Sequence, residues 1–208
     1  MSAEVRARVL KRLDKAGVPT NRLLPLIDEP SSLRPGGDVA VRIIALYALT
    51  GLANGADASA LRGWLRDTDV YHALLLEERS HFERPLSERD LTKASWRQES
   101  LYVLGWAAKL VDILDLPTQE CDLTPLFSKI PPEVDTGEFI RELELRPAEE
   151  ILYQVDLHYC LHWAMRHPAK VFRSRTARQL KVDVIIERRQ ALEWLISREE
   201  WNEIVLDT

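Results

Sequence analysis

The stretch that decides the fold class covers residues 147–166 and reads PAEEILYQVDLHYCLHWAMR. Its apolar residues recur every three or four positions, which is the spacing of one face of an α-helix. Pro147 suits the first turn of such a helix, because a proline there removes no intrahelical hydrogen bond. The stretch therefore predicts a long helix with a wide apolar surface.

The same helical spacing recurs along nearly the whole chain. Helical patterns cover residues 2–16, 38–54, 57–64, 70–79, 95–114, 124–129, 135–144, 147–168 and 182–197. Residues 182–186 also read as a strand, but the helical pattern continues through Trp194. We therefore expect an all-α fold, a single compact helical domain of about eight or nine helices with no sheet of consequence.

Prolines at positions 19, 25, 30 and 35 interrupt the pattern after the first helix. Proline lacks a backbone N–H and breaks regular helix, so residues 17–37 read as an extended Pro-rich connector. Asp38 looks like the N-cap of the helix that follows. The sequence thus predicts an N-terminal helix and connector over 1–37 and a helical core domain over 38–208, forming one folding unit overall.

Composition restricts the class of protein. The chain has 208 residues, of which 46% are hydrophobic and 29% charged, and its net charge is −5. This composition argues against disorder, and the charge argues against a protein built to coat nucleic acid. We expect a soluble, cytoplasmic protein with reduced cysteines, since there is no secretion signal, no apolar run of the roughly 18–20 residues of a membrane span and no C-x-x-C pair.

Charged residues fall on the apolar faces of several predicted helices. At 100° per residue, Glu99 lies within about 20° of Trp106 and Leu110. Asp156 lies within about 20° of Trp163 on its own helix. Because an unpaired buried charge costs several kcal/mol, these carboxylates must have partners or face solvent.

Seven residues form the candidate pocket or buried ionic network that these positions suggest. They are Arg42, Arg97, Glu99, Asp156, His162, Glu187 and Arg188. Three acids balance three arginines, so we expect one internal network with neutral His162 at its edge. Two interpretations stay open: an ionic lattice that holds helix register, or a cleft whose charged walls bind a small polar ligand or carry out proton chemistry.

Several stretches taken together resemble a known family. They are WRQESLYVLGWA at 96–107, LRPAEEIL at 145–152, DLHYCLHWA at 156–164, ERRQALEWL at 187–195 and WNEIVLDT at 201–208. In this order they resemble the bacterial proteins grouped as domain of unknown function 4272, from about Gly17 to the last residue. The resemblance implies a compact, mainly helical bacterial domain and no particular activity, cofactor or catalytic residue.

His158 and His162 lie four residues apart, which is a spacing of metal ligands on one helix face. No glutamate follows His158 as in the H-E-x-x-H motif, and Glu150 is the nearest plausible third ligand. The resembled family usually has an apolar residue at position 158. We therefore expect two core or edge histidines, with no metal and no cofactor.

Residues 166–181 contain six positive residues and no acid. The simpler interpretation is a solvated loop between two core helices. The alternative is a docking loop for an acidic partner or anionic ligand, with Lys170, Arg173, Arg175 and Arg178 as its candidate contacts. Nucleic acid is disfavoured, because Phe172 is the only aromatic residue among these charges.

These observations identify no activity. The leading hypothesis is a cytosolic, non-enzymatic protein-binding or regulatory module with a protein partner or a second copy of itself, and with no role at membranes or on nucleic acid. The alternative is a small-molecule binder or hydrolytic enzyme that uses the charged pocket. In that case Asp156 or Glu187 would be the base, and the arginines would hold an anion.

Overall fold

The computed structural model describes residues 2–167 and 174–207. All regular secondary structure in these residues is helical. The helices are α1 (Ser2–Ala16), α2 (Gly36–Ala53), α3 (Ala58–Asp67), α4 (Leu76–His81), α5 (Glu88–Ala107), α6 (Thr124–Phe127), α7 (Thr136–Glu142), α8 (Ala148–Arg166), α9 (Arg175–Arg178) and α10 (Val182–Ile196), with a 3-10 helix over Tyr71–Ala73. No strand occurs in this part of the chain. The all-α expectation is confirmed.

Side-chain caps explain several helix starts. Asp57 accepts a hydrogen bond from the Ala60 N–H at 2.6 Å and caps α3. A capping box of Ser87 and Asp90 begins α5. Asp38, however, is not the N-cap of α2: Pro35 holds that position, and Asp38 lies in the first turn. A negative charge in the first turn is stabilised by the positive end of the helix dipole.

The helix α5 begins earlier and ends earlier than its apolar pattern predicts. It runs from Glu88 to Ala107 rather than from 95 to 114. Lys109 adopts a left-handed backbone with φ of 61°, and the N–H groups of Lys109 and Leu110 donate to the carbonyls of Trp106 and Gly105. This Schellman arrangement terminates the helix even though apolar residues continue beyond it.

The chain divides into two compact units. Unit 1 contains Met1–Arg34, Leu114–Glu120 and Arg146–Thr208, and unit 2 contains Pro35–Ile113 and Cys121–Leu145. Unit 1 therefore holds α1 and α8 to α10, and unit 2 holds α2 to α7. The contacts thus group the N-terminal helix with the last three helices, and the predicted division into 1–37 and 38–208 stays a prediction.

The core of unit 1 forms where α1 lies against α8. Val9 and Leu13 of α1 are fully buried, and they pack in one cluster with Leu157 and Leu161 of α8. The helix α10 lies on α8 as well and contributes Ile185 to the cluster. The helices α8 and α10 thereby position the polar side chains that project away from this cluster.

The core of unit 2 forms around α2, which packs on α5 and α7. By length and composition alone, α2 is long and apolar enough to cross a membrane. From the sequence we expected no apolar segment of that length. Within the protein 61% of that helix is buried, a property it shares with core helices of folded domains. Ile43, Ile44 and Leu46 are fully buried there.

Candidate functional site

A cavity of about 650 Å³ opens in unit 1. Its walls come from the loop at residues 25–30, from α8 and α10, and from the segment at residues 196–207. The apolar part of the wall includes Leu26, Ile27, Ile196 and Val205, and the polar part includes Tyr159, Arg189, Glu193 and Asp207. Apolar walls with a few polar groups are typical of small-molecule sites.

Arg189 is the buried cation of this cavity, with a side chain only 2% exposed. Its Nη1 donates to Nδ1 of His162 at 2.8 Å, and its Nε donates to Oε1 of Glu193 at 3.0 Å. The guanidinium carbon lies 4.8 Å from the centre of the Tyr159 ring. These three contacts hold the guanidinium in one orientation.

The Nη2 group of Arg189, unlike Nη1 and Nε, forms no hydrogen bond within the described residues. Its nearest anionic atom is Oδ1 of Asp207 at 4.0 Å, which is beyond hydrogen-bond distance. No residue in 2–167 or 174–207 accepts a hydrogen bond from Nη2. The two N–H groups of Nη2 can therefore donate hydrogen bonds to a further partner in the cavity.

The groups around Arg189 have shifted pKa values. Burial, reinforced by the charge of Arg189, lowers the pKa of His162 to about 4. His162 is therefore neutral at neutral pH, which fits its role as the acceptor of the Nη1 hydrogen bond. Burial raises the pKa of Glu193, although Arg189 opposes this shift. Burial likewise raises the pKa of Tyr159.

A second buried cation fixes the wall behind Tyr159. Arg6 of α1 donates from Nε and Nη2 to the Asp156 carboxylate, with distances of 2.8 Å to Oδ2 and 2.6 Å to Oδ1. Its remaining donors reach the carbonyls of Leu24 and Pro25 at 3.0 and 2.8 Å. Arg6 thus ties the loop that lines the cavity to both α1 and α8.

The predicted network residues of unit 2 have identifiable partners. Arg42 donates from Nη1 and Nη2 to both carboxylate oxygens of Glu78, at 2.8 and 2.6 Å. Arg97 lies close enough to Glu78 to help lower the pKa of that carboxyl. Glu99 is fully buried and accepts a hydrogen bond from the Cys121 N–H at 2.7 Å.

The predicted residues of unit 1 have partners of their own. Asp156 pairs with Arg6 and His162 with Arg189, as described above. Arg188 is 3% exposed, and its Nη1 donates to the carbonyl of Asp115 at 2.8 Å. Glu187 is half-buried. The candidate residues thus divide between the two units, and a single network that joins them all stays a prediction.

Four of the residues that form these contacts were missed by sequence reasoning. Arg6 had a usable signal, because at 100° per residue it lies within about 20° of Leu13 on the apolar face of α1. Arg189 and Glu193 also had one, the i,i+4 spacing of an ion pair on a helix. Glu78 had none, since α4 is only six residues long and shows no clear apolar face.

The remaining candidates are the histidine pair and the docking loop, and only part of that loop lies in the described residues. His158 is fully buried and its Nδ1 donates to the Gln154 carbonyl at 2.9 Å, while burial, with Arg188 adding to it, lowers its pKa to about 3. In the ranges with described structure, no three His, Cys, Asp or Glu side chains come together as a metal site. Arg175 and Arg178 are exposed on α9, whereas Lys170 and Arg173 lie outside the described residues.

Comparison with known proteins places the chain in a family. The model of a domain of unknown function, DUF4272, matches residues 5–204. The chain belongs to the DUF4272 family. The match extends through both units and includes the cavity-lining residues from Pro25 to Ile204, whereas Val205 and Asp207 lie beyond it. No curated protein and no solved structure matches the chain significantly.

Proposed function

We propose that this DUF4272 protein binds a small organic molecule in the cavity of unit 1. The observation that carries the proposal is Arg189, a buried cation with an uncommitted Nη2 group that lines a cavity of about 650 Å³. This volume lies within the range of about 300–1,000 Å³ that small-molecule sites occupy. Burial of a charge is costly, and a bound ligand would offset that cost.

Binding is better supported than hydrolysis. The carboxylate of Asp156, an expected base, already accepts three hydrogen bonds from Arg6. His162 uses Nδ1 to accept from Arg189, so this atom is engaged. A general base needs a free lone pair within reach of its substrate. Neither Asp156 nor Nδ1 of His162 is therefore free to act as a base, whereas Arg189 and Tyr159 line the cavity and can orient a ligand.

The protein-binding role expected from the sequence stays a prediction, because two of its four candidate contacts, Lys170 and Arg173, lie outside the described residues. The small-molecule proposal is independent of that loop. It rests on α8, α10 and the segments at 25–30 and 196–207, all of which are described.

An NMR fragment screen of the full chain tests the proposal. We expect a subset of neutral and charged fragments to shift backbone resonances of Leu26, Tyr159, Ile196 and Val205. Replacement of Ile27 by Trp would fill the cavity and should abolish these shifts. The matched control is Val134→Trp, which alters a smaller cavity in unit 2 of about 460 Å³. Absence of any fragment that shifts the unit 1 residues would overturn the proposal.

A further inference from the structure

We infer that the ligand is a small monocarboxylate with an apolar body, and that the side chain of Asp207 occupies the position of its carboxylate until it binds. This inference rests on the proposed function of the unit 1 cavity and specifies the ligand class. Residues 204–207, named here the strap, would then be displaced when the ligand enters.

The donor geometry of Arg189 favours a carboxylate. Two of its nitrogens are committed, Nη1 to His162 and Nε to Glu193, while Nη2 points to no hydrogen-bond acceptor. Guanidinium N–H groups form charge-assisted hydrogen bonds to carboxylates, which are about twice as strong as neutral ones. A ligand carboxylate that took the place of Asp207 and came within hydrogen-bond distance would accept hydrogen bonds from Nη2 of Arg189.

Asp207 forms only a weak ion pair with Arg189 in the position proposed for the ligand carboxylate. Its carboxylate lies 4.0 Å from Nη2 although the side chain is 94% exposed to solvent. At that distance and exposure the ion pair contributes little to stability. A ligand that reaches hydrogen-bond distance and excludes water from Arg189 would therefore compete successfully with Asp207.

The strap is weakly attached to the rest of unit 1. The turn before it is anchored, since Nε2 of Gln190 donates to the Trp201 carbonyl at 2.6 Å. Beyond Glu203 no backbone hydrogen bond of residues 204–207 occurs within the described structure. Val205 leaves 79% of its surface exposed. Segments with few backbone bonds and little burial open at low free-energy cost.

The charge of the rim limits the ligand to a single negative charge. Asp28, Glu199 and Glu203 line the cavity and are exposed. Exposed carboxylates act through water and salt and repel a monoanion weakly, whereas the buried Arg189 acts at short range. A dianion such as a phosphate monoester would meet stronger repulsion from the rim. The apolar body of the ligand would rest on Leu26 and Ile27.

Titration of the full chain with matched probes tests the inference. The probes are hexanoate and benzoate, their neutral counterparts hexanamide and benzamide, and the cation hexylamine, followed by NMR shifts of cavity residues. We expect each carboxylate to bind at least about tenfold more tightly than its amide, because only the carboxylate forms charge-assisted bonds to Arg189. Arg189→Gln should remove this difference.

A substitution in the strap tests whether Asp207 competes with the ligand. Asp207→Asn removes the competing carboxylate and should tighten the binding of hexanoate by about two- to fivefold, which is the range expected when a weak surface pair is removed. Binding of hexanamide should not change. Glu199→Gln, which removes the same charge from the rim, is the matched control and should change hexanoate binding less than about twofold because its charge is screened.

The outcomes separate the inference from the proposed function. If the amides bind the cavity as tightly as the carboxylates, or hexylamine binds best, the inference is wrong and the small-molecule site stands. If no probe and no fragment of the screen reaches the cavity residues, both are wrong. Should Arg189→Gln fail to fold, Asp207→Asn decides, because unchanged affinity for hexanoate in that surface variant overturns the inference.

Discussion

Arg6 and Asp156 are 150 residues apart in the chain and form a buried ion pair that joins α1 to α8. Their side chains are 7% and 3% exposed. Val9 and Leu13 of α1 are fully buried in one cluster with Leu157 and Leu161 of α8, so the apolar contact and the ion pair act on the same two helices. Loss of either partner would leave the other charge in a poorly hydrated site.

The first prediction concerns this ion pair. Asp156→Asn should lower the free energy of unfolding by about 3–5 kcal/mol, because it leaves the buried Arg6 without a counter-charge. The double variant Arg6→Met, Asp156→Leu should recover most of the loss. Denaturant unfolding measures both. The control is Glu149→Gln, which breaks an exposed pair with Arg8 between the same helices and should cost less than about 1 kcal/mol.

The second prediction concerns acid sensitivity of the Arg42–Glu78 pair. Burial by itself would raise the pKa of Glu78, but hydrogen bonds from Arg42 outweigh it and lower the pKa. A carboxyl with a lower pKa in the folded state stabilises the protein above its unfolded pKa and loses that contribution as the pH falls through the folded value. The stability gap between the parent and Glu78→Gln should therefore shrink below about pH 4.5.

The neighbouring Glu77 provides the control for that experiment. Its side chain is 63% exposed and pairs with Lys93. Glu77→Gln should change the free energy of unfolding by less than about 1 kcal/mol at every pH. A stability gap for Glu78→Gln that stays constant from pH 7 to pH 3 would contradict the assignment.

The third prediction concerns the buried histidines. Burial, with Arg188 adding to it, lowers the pKa of His158 to about 3, and burial with Arg189 lowers that of His162 to about 4. In the unfolded chain both take up protons below about pH 6.5, so stability is highest above that pH and falls on acidification. His158 alone should lower the free energy of unfolding by about 2 kcal/mol between pH 7 and pH 5.

The variant His158→Leu tests this assignment, since Nε2 of His158 has no hydrogen-bond partner in the described structure. It should retain stability at pH 7 and lose less of it at pH 5 than the parent does. The raised pKa of Glu193 acts in the opposite direction in both proteins, so the comparison is made at matched pH. Equal losses in the two proteins would show that His158 is not responsible.

The fourth prediction concerns Gly36 at the start of α2. A Cβ atom there would lie 2.0 Å from the carbonyl oxygen of Leu143, a backbone atom that cannot move aside easily. Gly36→Ala should therefore destabilise the protein by about 1–3 kcal/mol despite the higher helix propensity of alanine. Gly63→Ala on α3 meets no atom within 4 Å and should instead stabilise by up to about 1 kcal/mol. Thermal unfolding of the two variants measures this opposite sign.

The candidate site was predictable only in part. Helix angles place Glu99 and Asp156 on apolar faces, and these two residues are buried, as are the network candidates Arg42 and Arg188, with exposures of 0%, 2%, 5% and 3%. The helical pattern did not identify Glu78 as a partner of Arg42 or Arg6 as a partner of Asp156. Helix angles report which face a residue occupies, but they carry no information on which distant segment packs against that face.

The sequence by itself determined the helical class and most helix positions, because apolar spacing, caps and prolines act over a few residues. Tertiary packing alone decided that α1 joins α8 and α10, that Arg189 lines a cavity, and that Asp207 comes within 4.0 Å of it. Such contacts depend on how segments far apart in the chain pack, and a buried charge selects its partner only after the helices around it are in place.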